Sequence, residues 1–516
     1  MSRYMSPVRK YAVAAAAVAS FAVARDAHAT FEEAGKAFND DNFVDAAVLF
    51  ADLLDSDNAD ERVQAEYYLA HSLYKSGYLV PAYQYYGEVF NQGPAHPFFL
   101  KATAGLVSVA TDLRDDLVVP QLLDQGYVDD FRNLSPDALN TVNYLVGTFA
   151  YRRGNLADAR DFLSAVSPDA GEYLKARYFL GVVSLNIAMN EEKVSFDKTL
   201  GYFKEVADAL EGTLDPEEKR LYRLAILGMA RTYYTQGEYS KSVEFYEKVP
   251  RFSEDWYDAM FESGWAYRQN AFGQTSRRSL TREIGKALGM VHSVQSPYFD
   301  GRLRAESFVL RATAYFDMCH FDRTRKTTEE FFDLYEPMAE ALKPYIVGDQ
   351  TDEEMIALIE EGSPSFPNEV RFRIASNSRY QKFLAQVEEI REEIARAEEF
   401  PNGSFKSQMM AVLQDQLDGR TSLLSRIVRG QIETQAGRLE ELINKGRIIL
   451  LETAKSERIM LEAGKDTSKG PRARGPRPLV PSASSQFWSF NDEYWIDELG
   501  YYQYSIKNEC VDELYQ

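Results

Sequence analysis

Histidine and cysteine are scarce in this chain: 5 and 2 among 516 residues. None of His71, His96, His292 or His320 stands in a paired-histidine zinc motif, and two cysteines cannot build a four-thiolate centre, so no metal site is legible. Glycine-rich phosphate loops and the G-x-S-x-G nucleophile turn are absent as well. Positive charge is in deficit, with 58 Lys and Arg against 79 Asp and Glu and a net charge of −21. A nucleic-acid backbone would be repelled by most of such a surface. Past residue 30 there is no apolar run of the roughly 20 residues needed to cross a bilayer.

Two arrangements mimic catalytic groups. Glu353-Glu354, Glu360-Glu361 and Glu392-Glu393 are adjacent carboxylates on acidic helical stretches, where solvated faces are the ordinary outcome. Cys319 and His320 are neighbours in a turn, and adjacent side chains rarely face one another. Neither makes a catalytic site, and the reading is of a non-enzymatic chain that needs no cofactor.

What the chain has in quantity is aromatic side chains, 13% of its residues, and an order to them. Arg3, Arg9 and Lys10 precede the apolar stretch YAVAAAAVASFAVA (11–24), and Ala27-His28-Ala29 follows as a small-x-small cleavage site. This predicts a secretory signal peptide over residues 1–29, a mature chain that starts at Thr30 and has no membrane span, and export to the periplasm.

From Ala70 onward one spacing repeats. Tyr74, Gly77, Leu79, Ala82, Tyr86 and Val89 stand at offsets 4, 7, 9, 12, 16 and 19. Ala34, Gly147, Ala230 and Ala312 open four more units of the same spacing, with Ala46, Ala159, Ser242 and Thr324 as the second small residues. Gly105, Gly181 and Ser263 open three degenerate units. In the last of these the second helix is expected late, near Ala287, after a polar excursion. Two antiparallel helices approach closely only where both carry small residues, and neither buries its face alone, so such units must stack.

The stretches YYLAHSLYKSGYLVPAYQYYGEV (67–89) and YLVGTFAYRRGNLADARDFLSAV (144–166) resemble the tetratricopeptide repeat in register. The resemblance covers roughly residues 30–335 and implies an all-α fold: a right-handed solenoid of about eight hairpins, three of them degenerate. It implies a protein-binding scaffold whose first helices line a concave wall. The residues one and five after the small residue that opens each unit then face the groove. Among them His71, Lys75, Arg152 and Arg231 are the partner-binding candidates, the last three forming a basic stripe suited to an acidic peptide or a terminal carboxylate.

Residues 336–464 read as a helical extension. Its apolar stripe Ile432, Ala436, Leu439, Ile443 and Leu450 suits either packing on the last repeat or a coiled-coil arm. Residues 465–486 are a basic Pro/Gly/Ser linker that could also dock on the protein's own acidic face, on anionic lipid or on wall polymer. Residues 487–516 are an aromatic tail. Phe487, Trp488, Tyr494 and Trp495 make it either a cap on the helices or a docking peptide. Its wording is reminiscent of tails on exported tetratricopeptide-repeat proteins of envelope and gliding-motility machinery. Cys319 and Cys510 admit a disulfide or two isolated thiols.

The function this supports is an interaction scaffold for protein partners in the bacterial cell envelope, peripherally associated with it. One alternative is an outer-membrane or cell-wall assembly factor that recruits peptide clients. The other is a cell-wall hydrolase with a helical superstructure. Amino-terminal sequencing of the exported protein should begin at Thr30; a start at Met1 in an exported fraction would overturn the cleavage assignment.

Overall fold

Each hairpin turns through one small device. Seven positions after the small residue that opens a unit, the backbone is left-handed: Asp41 (φ 59°), Gly77 (81°), Gly154 (77°), Gly237 (79°) and Cys319 (56°); in a degenerate unit Arg114 (50°), nine positions after Gly105, takes the same conformation. Around it two backbone bonds recur. At Gly77 they are Gly77 N–H to Tyr74 C=O and Tyr78 N–H to Leu73 C=O, and the five other turns repeat the pair. This is the Schellman arrangement, which satisfies the last carbonyls of the first helix and reverses the chain. Glycine suits it; a side chain there costs about 1 kcal/mol.

The computed structural model describes residues 30–190, 195–398, 400–464 and 493–510. Thr30 caps the first helix through a capping box with Glu33. Sixteen helices form eight consecutive pairs. They are α1 (Phe31–Asn39) with α2 (Phe43–Asp52), α3 (Ala59–Lys75) with α4 (Leu79–Asn91), and α5 (Phe99–Asp112) with α6 (Val118–Gln125). Next come α7 (Pro136–Arg152) with α8 (Leu156–Ser164), α9 (Tyr173–Met189) with α10 (Asp197–Leu210), and α11 (Pro216–Thr235) with α12 (Tyr239–Tyr246). The last two are α13 (Trp256–Phe272) with α14 (Arg277–Val294) and α15 (Ala305–Asp317) with α16 (Phe321–Val347). Four more helices follow: α17 (Asp352–Glu360), α18 (Asn368–Ala375), α19 (Ser378–Ala397) and α20 (Ser404–Glu462). The fold is all-helical, with no strand among the described residues. None of the described helices is long and apolar enough to cross a membrane.

The small residues sit where the helices of a pair meet. Ala34, Ala46, Ala70, Ala82, Ala159, Ala230, Ser242 and Thr324 are all fully buried. A Cβ added at Gly147 would lie 2.8 Å from Leu163, and one at Gly181 would lie 2.6 Å from Phe203. Such overpacking typically costs 1–3 kcal/mol. Two boundaries differ from the sequence reading. The second helix of the seventh pair starts at Arg277, ten residues before Ala287, because Ser276 accepts from the Ser279 amide and caps it there. The polar residues of its first turns are exposed, which hides the helix from an apolar-periodicity reading. The expected end of the repeats at 335 falls inside α16, which continues through Pro337 and Pro344.

The extension folds back over the beginning of the chain. α19 and the first half of α20 share one apolar core with the first four pairs, through Ile390, Phe400, Phe405, Met409 and Leu413. From Leu424 onward α20 shares another with α15 to α19, through Leu424, Val428, Ile432, Leu439 and Ile443. At 59 residues and about 1.5 Å per residue, one helix therefore reaches from the first pairs to the last.

Polar contacts lock the strap to the turns. Buried Glu393 on α19 accepts from the Leu79 amide at 2.8 Å and the Val80 amide at 3.2 Å, capping α4 from 314 residues away. Asp115 caps α6 through the Leu117, Val118 and Val119 amides. Arg420 of α20 stands 3.6 Å from Asp115 and donates to Gln386 of α19, which donates to the Leu113 carbonyl.

Burial pushes the Glu393 carboxyl up to about 8, outweighing the Val80 and Leu79 amides. The folded chain then holds a proton that the unfolded chain, near 4.5, has released. This contribution to stability is full below about pH 4.5 and is lost as pH rises through about 8. Glu393→Gln, which keeps an acceptor for the amides, should therefore show a melting-temperature advantage that grows from pH 5 to pH 8. A constant difference across that range would contradict it.

Candidate partner-binding surfaces

The basic groove candidates each have their own surroundings. Arg152 donates to the Asp116 backbone carbonyl and pairs with its carboxylate at 2.8 Å; Lys382 of α19 holds the same carboxylate at 3.0 Å. Arg231 makes a two-pronged pair with Glu262, at 2.8 and 2.7 Å. Lys75 is exposed at the end of α3. His71 is half-buried, its Nδ1 2.8 Å from the Tyr86 hydroxyl and its ring stacked on Tyr67. Burial, then the charges of Lys75 and Lys101, lower its pKa and favour the neutral ring. The arginines of the expected stripe are thus matched by acids of neighbouring pairs.

Residues 487–492, with Phe487 and Trp488, and the linker 465–486 lie outside the described residues. Residues 493–510 lie along α14, whose sequence places Gly285, Gly289 and Ser293 four residues apart on one face. The tail backbone occupies that face. A Cβ at Gly285 would strike the Tyr504 carbonyl, and one at Gly289 the Tyr502 carbonyl. The Tyr504 amide donates to the Gly285 carbonyl at 2.9 Å, and the Gly500 amide to Ser293 Oγ at 2.9 Å. Tyr494 stacks on His292 with ring centres 4.3 Å apart. Leu499 and Ile506 point inward and are buried. Arg251 gathers the Ile496, Asp497 and Leu499 carbonyls at 3.0–3.4 Å.

The end of the tail is tied covalently. Cys319 and Cys510 form a disulfide across 191 residues of sequence. The Glu509 amide donates to the Met318 carbonyl, and His320 Nε2 stands 2.7 Å from the Lys507 carbonyl. Cys319 occupies the left-handed turn position that glycine fills in three other pairs, and its sulfur forms the disulfide there.

Not everything in the tail turns inward. Trp495 is 56% and Tyr501 70% exposed. Ile496, Phe252 and Tyr298 are also exposed; Tyr501 and Phe252 flank Arg251, which binds the carbonyl of Ile496, the residue after Trp495. Its guanidinium lies 4.9 Å from the Tyr501 ring and 5.1 Å from that of Phe252. Phe252 holds a left-handed backbone, φ 62°, and its ring centre is 5.7 Å from that of Tyr298. The sequence reading found Trp495 but missed Arg251, Phe252 and Tyr298, about 200 to 245 residues earlier in the chain.

Cys510→Ser should lower stability by about 2–4 kcal/mol, the usual range for a disulfide closing a long loop. Cys319→Gly, which also relieves the turn, should lose about 1 kcal/mol less. Equal losses in denaturant melts would show that the turn carries no such penalty. Among known proteins, no family model matches the chain and no curated protein matches it.

Proposed function

We propose that this chain is a non-enzymatic scaffold for protein assembly in the bacterial cell envelope. In this reading it is exported to the periplasm, and its eight helix pairs form a right-handed solenoid of tetratricopeptide type. The repeated turn and the buried small residues support the solenoid, because such pairs present large flanking side chains that only a neighbouring pair can cover. The exposed cluster around Arg251 carries the functional reading. Tryptophan, tyrosine and arginine dominate the binding energy of protein interfaces. A tail that served only as a cap would turn its large aromatics inward, as it does Leu499 and Ile506. Trp495 and Tyr501 face solvent from a backbone that hydrogen bonds and a disulfide hold in place. Such pre-ordering reduces the entropy lost on association.

Replacing both Trp495 and Tyr501 with alanine should leave the melting temperature within a few degrees, since neither side chain is buried. The same variant should lose its partner cross-links in the native envelope at least tenfold, the effect of removing about 1.4 kcal/mol of binding energy. A cross-link map identical to the wild type would sink the assignment of this surface.

A further inference from the structure

A groove runs between the first helices of the last three pairs (α11, α13, α15) and α20. It has two compartments. The first, about 200 Å³, is polar and lined by Arg231, Asp258, Glu262, Gln435 and Arg438 among others. The second, about 270 Å³, is largely apolar, with Trp265, Val309, Leu442, Ile448 and Ile449. Glu306 and Leu442 border both, so the two adjoin. From Gln435 to Ile449 the axis of α20 advances about 21 Å at 1.5 Å per residue. That matches about six residues of extended chain.

Its polar groups are not all matched. Arg231 is paired with Glu262, and Arg438 with Glu306. Asp258 has no hydrogen bond or ion pair among the described residues, although burial raises its pKa, followed by the nearby charge of Glu262. Arg302, Arg231 and Arg373 oppose that rise from a distance; Arg373 is exposed at the rim, where water screens it. Gln435 is 4% exposed, and its Oε1 is buried without a partner. The Nε1 of Trp265 is likewise buried without one. An acceptor thus waits in the polar compartment and a donor in the apolar one. Unsatisfied buried polar atoms are rare because each costs about 1–3 kcal/mol.

We propose that this groove binds an extended segment of a partner protein that carries a basic residue and, a few positions away, an aliphatic one. The lysine or arginine pairs with Asp258. A backbone N–H donates to Gln435 Oε1, and a backbone carbonyl accepts from Trp265 Nε1. The aliphatic side chain covers Val309, Leu442, Ile448 and Ile449. Local charge favours this occupant: Asp258 is the acid of the lining that lacks an ion-pair partner among the described residues, whereas Arg231, Arg304 and Arg438 are paired with Glu262, Asp300 and Glu306, and Arg373 stands in water at the rim. An acidic segment would meet arginines already engaged by Glu262 and Glu306. The inference rests on the scaffold reading but uses a surface separate from the Arg251 cluster.

The test is a set of hexapeptides, acetylated and amidated, with lysine and leucine scanned through every position. Binding to the full chain, disulfide intact, is read by fluorescence anisotropy. The tightest binders should carry lysine three to five residues from leucine. Asp258→Asn and Ile448→Glu should each weaken them at least tenfold, and added salt should weaken binding to the wild type. Ile448 is 59% exposed, so its variant should keep the wild-type melting curve. Binding no better than a Gly-Ser hexapeptide, or binding indifferent to both substitutions, would overturn the proposal. So would tighter binding by PRARGPRPLVP, residues 471–481 of this chain, which would assign the groove to its own linker. Failure here with partner cross-links still dependent on Trp495 and Tyr501 would remove the groove and leave the scaffold standing.

Discussion

Two helices that meet through alanine, glycine and serine come close and leave their large side chains on the flanks. There the next pair helps cover the rings: Tyr67 stacks on Phe98, Tyr86 lies against Gly105, Phe203 against Gly228, and Tyr246 donates to Glu262. Such a pair is incomplete by itself, and completion by a neighbour moves the problem along the chain rather than ending it. Everything else in the molecule answers that constraint. The turns keep successive pairs in step, and the C-terminal third supplies apolar surface to both the first and the last of them.

The strap on the first pairs is more than an apolar cover. Glu393 ends α4 and Asp115 ends α6. α19 thereby supplies the cap that the turn before α4 lacks, and Arg420 of α20 stands beside the cap that the turn before α6 carries itself. Burial makes these contacts selective: a carboxyl group held away from water is costly unless its hydrogen-bond partners are in place. The strap is therefore registered to the start of α4 and to the turn before α6. The same logic governs the tail, where Gly285 and Gly289 admit a backbone and no other arrangement of α14 would.

Both surfaces that remain open arise where these late segments pass over the earlier pairs. The Arg251 cluster combines the loop after α12 with a tail held by Cys319. The groove combines the first helices of the last pairs with one face of α20. In each, polar atoms made necessary by the packing are left near apolar side chains, which is the composition that a protein partner can exploit.

The spacing of small, aromatic and turn residues determined the helical class and the order of the eight pairs, because those depend on contacts within some 35 residues. It also marked the left-handed turn positions, including Cys319. The stripe on α20 was legible as a stripe, though not what it faces. Only the tertiary structure decided that Arg152 and Arg231 are matched by acids, that Glu393 reaches α4, that Cys510 meets Cys319, and that Arg251 and Trp495 share one surface. Those partners lie from about 30 to more than 300 residues apart. Local periodicity reports which face of a helix seeks cover; which distant segment supplies it is settled by tertiary packing, by where the returning helix fits.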